Sequence, residues 1–301
     1  MMRTIATSPS ARGLNDDVAL LEIGGETLIL THDMMAQGVH WLPHANPADV
    51  AWKLAATNLS DLAAKGAQPL GLLLGYILSD DEWDMAFARG LHDAVTHFGV
   101  PLLGGDTVGS DAGFRAAGMT AIGRATTAAV PSRAGAQPGD LLYVTGCVGD
   151  AKAGFDLENA PAATGVDGQW AALRAAFNRP IPLLAEGRLL APVVTAMMDI
   201  SDGLLIDAQR MAQASDLQVI IQIDAIPLSP GYIHIYGDND ASRIEAASWG
   251  DDYQLLFALP PYASPPVAAT FIGRFAIGEG LRLCCVDEAI SNPDKLGFEH
   301  R

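Results

Sequence analysis

Five apolar segments of this chain break on a carboxylate: "LNDDVAL" (Asp16, Asp17), "LTHDMM" (Asp33), "NLSDLAAKGA" (Asp61), "LLGGDT" (Asp106) and "MDISDGL" (Asp199, Asp202). A fold that buries such segments must lead their acidic tips either to solvent or to a common cleft. Each tip has a local explanation. Asp61 can pair with Lys65 at i,i+4 on a helix surface. Asp202 or Ser201 can cap the helix that starts near Gly203. Asp106 can belong to a turn after two glycines. Taken together the tips raise a different question, because two carboxylates about 4 Å apart repel by roughly 4 kcal/mol at an effective dielectric of 20. Several in one cleft require cations. Carboxylate oxygens suit Mg²⁺, and Mg²⁺ commonly accompanies phosphate. Spacing alone leaves convergence open.

Composition narrows the classes. The 301 residues, half of them hydrophobic, suffice for one large or two ordinary domains. The net charge of -17 disfavours nucleic acid and anionic membranes as partners. Lysine occurs only at Lys53, Lys65, Lys152 and Lys295, so phosphate handling would lean on bound metal. Cys147, Cys284 and Cys285 lack metal-ligand spacing and read as reduced thiols. The N-terminus has no apolar signal region, and "PLGLLLGYIL" is too short to span a bilayer. A cytoplasmic protein is expected.

Strand-like and helix-like segments alternate. "ETLILTHDMM" predicts a strand. "NPADVAWKLAATNLSDLAAKGA" predicts a helix with Pro47 in its first turn and Gly66 as its stop. "PLGLLLGYIL" predicts a buried strand and "DDEWDMAFARGLHDAVTHFG" an amphipathic helix. "VPLLGGDT" and "FRAAGMTAIGRA" predict strands. "PSRAGAQPGD" reads as a domain boundary, giving domains 1–134 and 135–301. Beyond it, strands are predicted at "LLYVTG", "LQVIIQID", "YQLLFALP", "FIGRFAIGEG" and "LRLCCVD". Helices are predicted at "DAKAGFDLE", "LLIDAQRMAQAS" and "DASRIEAAS", with a surface loop at "NAPAATGVDGQ". The fold class is α/β (α+β). "GCVGDAKAG" lacks the G-K-[ST] ending of a Walker A loop and reads as a tight turn.

The motifs "NDDVAL", "THDMMAQGVHWLP", "NLSDLAAKGA", "GGDT", "GRA", "SRAGAQPGDLLYVTG", "DISDGL", "GDDYQLLF" and "GFEH", in this order, resemble the thiamine-monophosphate kinases. These form a branch of the aminoimidazole ribonucleotide synthetase superfamily, and the resemblance covers nearly the whole chain. It implies a two-domain fold whose N-terminal sheets pair in a homodimer. It also implies direct in-line transfer of the γ-phosphoryl group of ATP to thiamine monophosphate, supported by several Mg²⁺ ions. Carried over residue by residue, Asp17, Asp33, Asp61, Asp106, Asp199 and Asp202 are metal ligands, with Thr31 and His32 beside them. Gly105, Asp106, Arg124 and Ser201 are implied for ATP. His40, Asp251 and Phe298 are implied for the substrate. Asp202, Asp106 and Asp33 carry the catalytic charge.

The chain departs from the family pattern at several points. Asn15 stands for Gly, His32 for Thr, Asp251 for a Glu one methylene longer, Phe298 for an aromatic that can be Tyr, and Leu183 for Arg. The family's N-terminal segment is absent. An ATP-dependent ligase of the same superfamily would share the aspartates but not "GVHW" and "GDDYQLLF". A decayed nucleotide- or metal-binding paralogue would carry substitutions of this kind without turnover.

Overall fold

The computed structural model describes residues 4–109, 113–159, 168–285 and 288–299. The surface loop expected at "NAPAATGVDGQ" falls mostly outside them. After a 3-10 turn at Pro9–Leu14, strands β1 (Ala19–Ile23) and β2 (Glu26–Ala36) lead into helix α1 (Pro47–Ala64). Strand β3 (Gln68–Leu78), helix α2 (Asp81–Phe98), β4 (Leu102–Gly109) and β5 (Ala116–Arg124) follow. They form a sheet of order β1-β2-β5-β3-β4, antiparallel except for the parallel pair β3 and β4.

Local chemistry sets these elements. Asn46 caps α1 by accepting the Ala48 N–H, with Pro47 at the first position, where no N–H is needed. Asp80 caps α2 by accepting the Trp83 N–H. Trp83, Phe87, Leu91 and Ala94 make the buried stripe of α2, at the spacing an amphipathic helix requires.

The second sheet has the order β12-β11-β8-β10-β6-β9-β7. Its strands are β6 (Leu141–Val144), β7 (Ala196–Asp199), β8 (Gln218–Gln222), β9 (Leu255–Leu259), β10 (Thr270–Ala276), β11 (Gly280–Cys285) and β12 (Glu288–Ile290). Helices α3 (Asp150–Asn159), α4 (Gly168–Asn178), α5 (Leu184–Leu190), α6 (Leu204–Ala214), α7 (Pro230–Tyr236) and α8 (Asp240–Ala247) surround it. Helices α4, α5 and α7 and strands β1 and β12 add to the elements expected segment by segment, while β7 is the apolar strand expected before "DISDG". Helix α7 is short, and Ser229 and Pro230 start it as cap and first residue. We propose the domain division at 134/135. In support, residues 125–140 contain no helix or strand, and one buried cluster lies on each side, from Val18 to Ala121 and from Ala136 to Leu283.

Helix α1 joins the two halves. Every residue from Val50 to Ala64 is buried, as in a helix with apolar surroundings on all sides. Its end, Ala63 and Ala64, packs with Leu190, Met197, Leu255 and Phe257 of the second half. Strand β3 differs from the buried strand expected. Only Gly71 and Leu72 are buried, because helices cover one face of the first sheet and leave the other open. Strand β4 is exposed along its whole length. Among the described residues no helix is long and apolar enough to cross a membrane.

Candidate functional site

Three of these acids meet, although Asp61 lies inside α1 and not at its tip. Asp17 comes from the turn before β1, Asp61 from α1 and Asp199 from the end of β7, and each offers an oxygen within 4.8 Å of the others. Asp61 Oδ2 accepts from the Thr31 hydroxyl at 2.5 Å. Asp199 Oδ2 accepts from the Ser60 hydroxyl at 2.5 Å. Burial, followed by the charges of Asp33, Asp199 and Asp17, pushes the Asp61 carboxyl well up from the ordinary range. Burial, then Asp17, raises Asp199 to about 7. Asp17 Oδ2 is buried without a hydrogen bond. Asp61 and Asp199 are thus carboxyls short of positive charge.

The protein's own cations serve the edge of the cluster. Lys65 does not pair with Asp61. The helix ends at Ala64, and the fully buried Lys65 ammonium instead reaches Asp16 at 2.6 Å and Asp17 at 3.6 Å. Arg12 also binds Asp16, at 2.7 Å, and Arg133 binds Asp17. Burial alone would raise Asp16, but Lys65 and Arg12 hold it below the ordinary carboxyl range. Asp16 is thus a structural anchor, and Asp17 faces the cluster.

The "DISDG" turn is built from below. Gly203, not Ser201 or Asp202, occupies the cap of α6 and makes no side-chain cap bond. The buried Asp207 accepts the backbone N–H groups of Ser201 and Asp202, both at 3.1 Å. Arg210 donates to Asp207 at 2.8 Å and to Asp202 at 2.5 Å. Asp202 is therefore aimed by an arginine and is no helix cap.

A cavity of about 1060 Å³ opens beside the cluster. Asp17, Asp33, Asp61, Asp199, Ser201 and Asp202 line it, and so do His40, Asp251 and Phe298. Residues more than 250 positions apart thus share one cleft. The His40 Nδ1 accepts the Ala36 N–H at 3.1 Å, which leaves Nε2 to carry the proton of a neutral ring. Trp41, Phe155, Phe177 and Trp249 supply aromatic wall. Asp33 takes its backbone support from Asn58 Oδ1, at 3.0 Å.

Four expected residues stand apart from this cleft within one chain. His32 is exposed and alternates to the opposite sheet face from Thr31 and Asp33, where its Nδ1 lies 2.8 Å from Thr120 Oγ1. Arg124 pairs with Glu26 at 3.5 Å. It is registered with Leu28, five residues along β2 from Asp33, or about 17 Å. Gly105 and Asp106 lie on exposed β4. A side chain at Gly105 would sit 1.9 Å from the Leu74 carbonyl oxygen, so sheet packing alone demands glycine there. In the "GCVGDAKAG" segment, Asp252 accepts the Gly149 N–H at 2.9 Å. Lys152 is spent on Asp156 and Glu245.

Several residues of the site went unread in the sequence: Ser60, Lys53, Arg133, Asp207 and Arg210. The i,i+3 spacing of Asp207 and Arg210 just after "DISDG" was a usable signal. So was the i,i+8 spacing of Lys53 and Asp61. Nothing local marks Arg133, whose partner is 116 residues away.

Comparison with known proteins follows the same lines. Residues 15–125 match the family model of the AIR synthase related protein, N-terminal domain, and residues 137–258 that of its C-terminal domain. The thiamine-monophosphate kinase of Salmonella typhimurium is 34% identical over 294 residues, covering 95% of this chain and 86% of that protein. That of Caulobacter vibrioides is 36% identical over 308 residues, covering 97% and 86%. AaThiL complexed with AMPPCP and TMP superposes with a TM-score of 0.84 at 30% identity, covering 96% of this chain and 93% of that one. The hydrogenase maturation protein HypE in complex with ATP shares the fold at 18% identity, with a TM-score of 0.70, covering 96% and 91%.

Proposed function

Because the chain belongs to the AIR synthase related family, and within it to the thiamine-monophosphate kinases, we infer that it phosphorylates thiamine monophosphate with ATP to give thiamine diphosphate. One observation carries the reading at the level of residues. A single cavity is lined both by the carboxylate cluster and by His40, Asp251 and Phe298. Donor and acceptor are both anionic phosphates, so the catalytic task is to cancel charge and align two groups. No side-chain nucleophile is needed.

Magnesium fits the donor set. The cluster offers hard carboxylate oxygens from Asp17, Asp61 and Asp199. One of them, Asp17 Oδ2, is buried without a hydrogen bond, and Asp61 and Asp199 are held in a state short of positive charge. Asp33 and Asp202 border the same space and would complete the set. When bound, Mg²⁺ supplies positive charge for the phosphate oxygens of the nucleotide. The chain's own residues do the rest. Arg210 and Asp207 hold the turn that presents Asp202 and Ser201. Thr31 and Ser60 orient Asp61 and Asp199. His40, fixed through Nδ1, lines the cavity.

A homodimer belongs to the same proposal. The open face and the exposed strand β4 carry Met34, Leu73, Leu103 and Val108, each more than a third exposed. An apolar face of this kind favours burial against a second copy. It would also give Gly105 and Asp106, remote from the cleft of their own chain, a place beside a neighbour. A cytoplasmic location completes the reading.

Incubation with thiamine monophosphate, Mg²⁺ and ATP labelled at the γ-phosphate tests it. Labelled thiamine diphosphate is expected. Intact ATP binding without product would instead mark a decayed paralogue.

A further inference from the structure

The cavity wall beside the "DISDG" turn is strained and pinned. Asp251 and Tyr253 both have left-handed backbone, at φ of +64° and +49°. For residues other than glycine this costs on the order of 1 kcal/mol each, and such strain persists only where surrounding structure imposes it. Here the imposition is visible. Asp251 N–H donates to Ser201 O and Tyr253 N–H to Ile200 O, both at 2.8 Å. A side chain at Gly250 would lie 2.2 Å from Ser201 O. The wall loop and the "DISDG" turn are therefore in direct backbone contact.

Asp251 is also held through its side chain. Oδ2 takes a hydrogen bond from Lys53 Nζ at 2.7 Å, and Oδ1 takes one from the Tyr253 hydroxyl at 2.8 Å. Lys53 is only 4% exposed, and its ammonium sits 3.9 Å from the centre of the Phe177 ring. It projects from α1 in the first half of the chain to a loop 198 residues later. A carboxylate engaged at both oxygens is a fixed part of the wall and is not an arm seeking a ligand.

Helix α1 relates this wall to the acids. Lys53, Thr57 and Asp61 stand at i, i+4 and i+8, on one face of the helix, and all three line the cavity. Lys53 and Asp61 are separated by about 12 Å along the axis. One helix, buried from Val50 to Ala64, thus carries both an acid of the cluster and the lysine that holds Asp251.

We propose that Lys53 is a positioning residue for the acceptor substrate. It neutralises Asp251 and clamps it beside Tyr253, which fixes the wall against which the ring end of thiamine monophosphate rests while its phosphate reaches the acids. Without Lys53, the unbalanced Asp251 carboxylate turns toward solvent, and the acceptor loses its seat. This inference rests on the kinase function proposed above.

Steady-state kinetics of Lys53→Met, Lys53→Arg, Asp251→Asn and the double variant Lys53→Met/Asp251→Asn test it. Loss of a charge-assisted contact in Lys53→Met should raise KM for thiamine monophosphate about tenfold, with kcat within about threefold and KM for ATP unchanged. Lys53→Arg should restore most of the loss. The double variant should be no worse than the poorer single one, since both break the same pair. An unchanged KM for thiamine monophosphate, or an equal rise in KM for ATP, overturns the proposal. If Lys53→Met does not fold, Asp251→Asn alone must show the selective KM rise, and its absence is equally decisive. If the wild-type chain has no turnover, the kinase reading falls first. The Lys53 claim is then read from calorimetric binding of thiamine monophosphate, where about tenfold weakening in Lys53→Met supports it and equal affinity rejects it.

Discussion

Asp199 and Asp202 are three residues apart in one motif yet live in different surroundings. Asp199 is buried, bonded to Ser60, and raised to about 7 by burial and by Asp17. Asp202 is partly exposed and held by Arg210. The difference separates what each contributes when replaced. In Asp202→Asn the shape is kept and a charge is lost, while Arg210 retains its bond to Asp207. The partly buried ion pair is worth about 1 kcal/mol, and its loss also relieves repulsion among the clustered acids, so the melting temperature should barely move. Turnover should fall by roughly 10²–10³-fold, the scale seen when one electrostatic stabiliser is removed from an active site. A variant that melts far lower, or one with near-normal turnover, would show Asp202 to be structural.

Helix α1 carries more of the account than any other element. It brings Asp61 against Asp199 of β7 and makes both hard to ionise. The sign of the consequence follows from linkage. A carboxyl whose folded pKa is raised stabilises the fold fully below its unfolded pKa, and that contribution is lost as pH rises through the folded value. For Asp199 the window runs from about 4 to about 7. Metal-free protein should therefore melt at a lower temperature at pH 8 than at pH 5, and Mg²⁺ should raise the melting temperature more at pH 8. Asp16, held low by Lys65 and Arg12, acts in the opposite sense but only on the acid side of that window. Scanning calorimetry with EDTA and with Mg²⁺ checks this. A metal-free melting temperature that rises between pH 5 and 8 would contradict it.

The same elements show what could be read from the chain beforehand. Strand and helix ends are marked by glycine, proline and capping residues close in sequence, so α1, α2 and the place of Asp199 at a strand end were legible, whereas Asp33, Asp61 and Asp106 lie inside β2, α1 and β4 and not at their tips. Burial on all sides of α1 was not, because its second partner is supplied by β7 and α5, more than a hundred residues later. For the same reason Lys65 looked like a partner for Asp61, when its reach is set by Asp16 across the fold. Strand β3 read as buried because apolar runs look alike whether a second layer covers them in the same chain or not. Lys53 was counted only as a scarce cation, since its partner Asp251 is 198 residues away.

At the scale of the molecule, the exposed face of the first sheet and the isolation of Gly105 and Asp106 belong together. Sedimentation should give twice the mass of one chain. The pair of substitutions Leu73→Asp and Val108→Asp, on exposed residues, should yield monomers. If Asp106 acts beside a neighbouring cleft, those monomers should lose at least about tenfold in turnover, the loss expected when a charged contact is removed. A monomeric wild-type chain, or fully active monomers of the variant, would reject the dimer proposal.

The central claim is that this one cleft holds both phosphates together and passes the γ-phosphoryl group directly between them. The stereochemical course tests it most closely. ATP made chiral at the γ-phosphorus is converted with thiamine monophosphate, and the configuration of the product is read. A single in-line displacement inverts phosphorus, so thiamine diphosphate of inverted configuration is predicted. Retention, or label trapped on the protein when the acceptor is withheld, would mean a phosphoenzyme and would contradict the account.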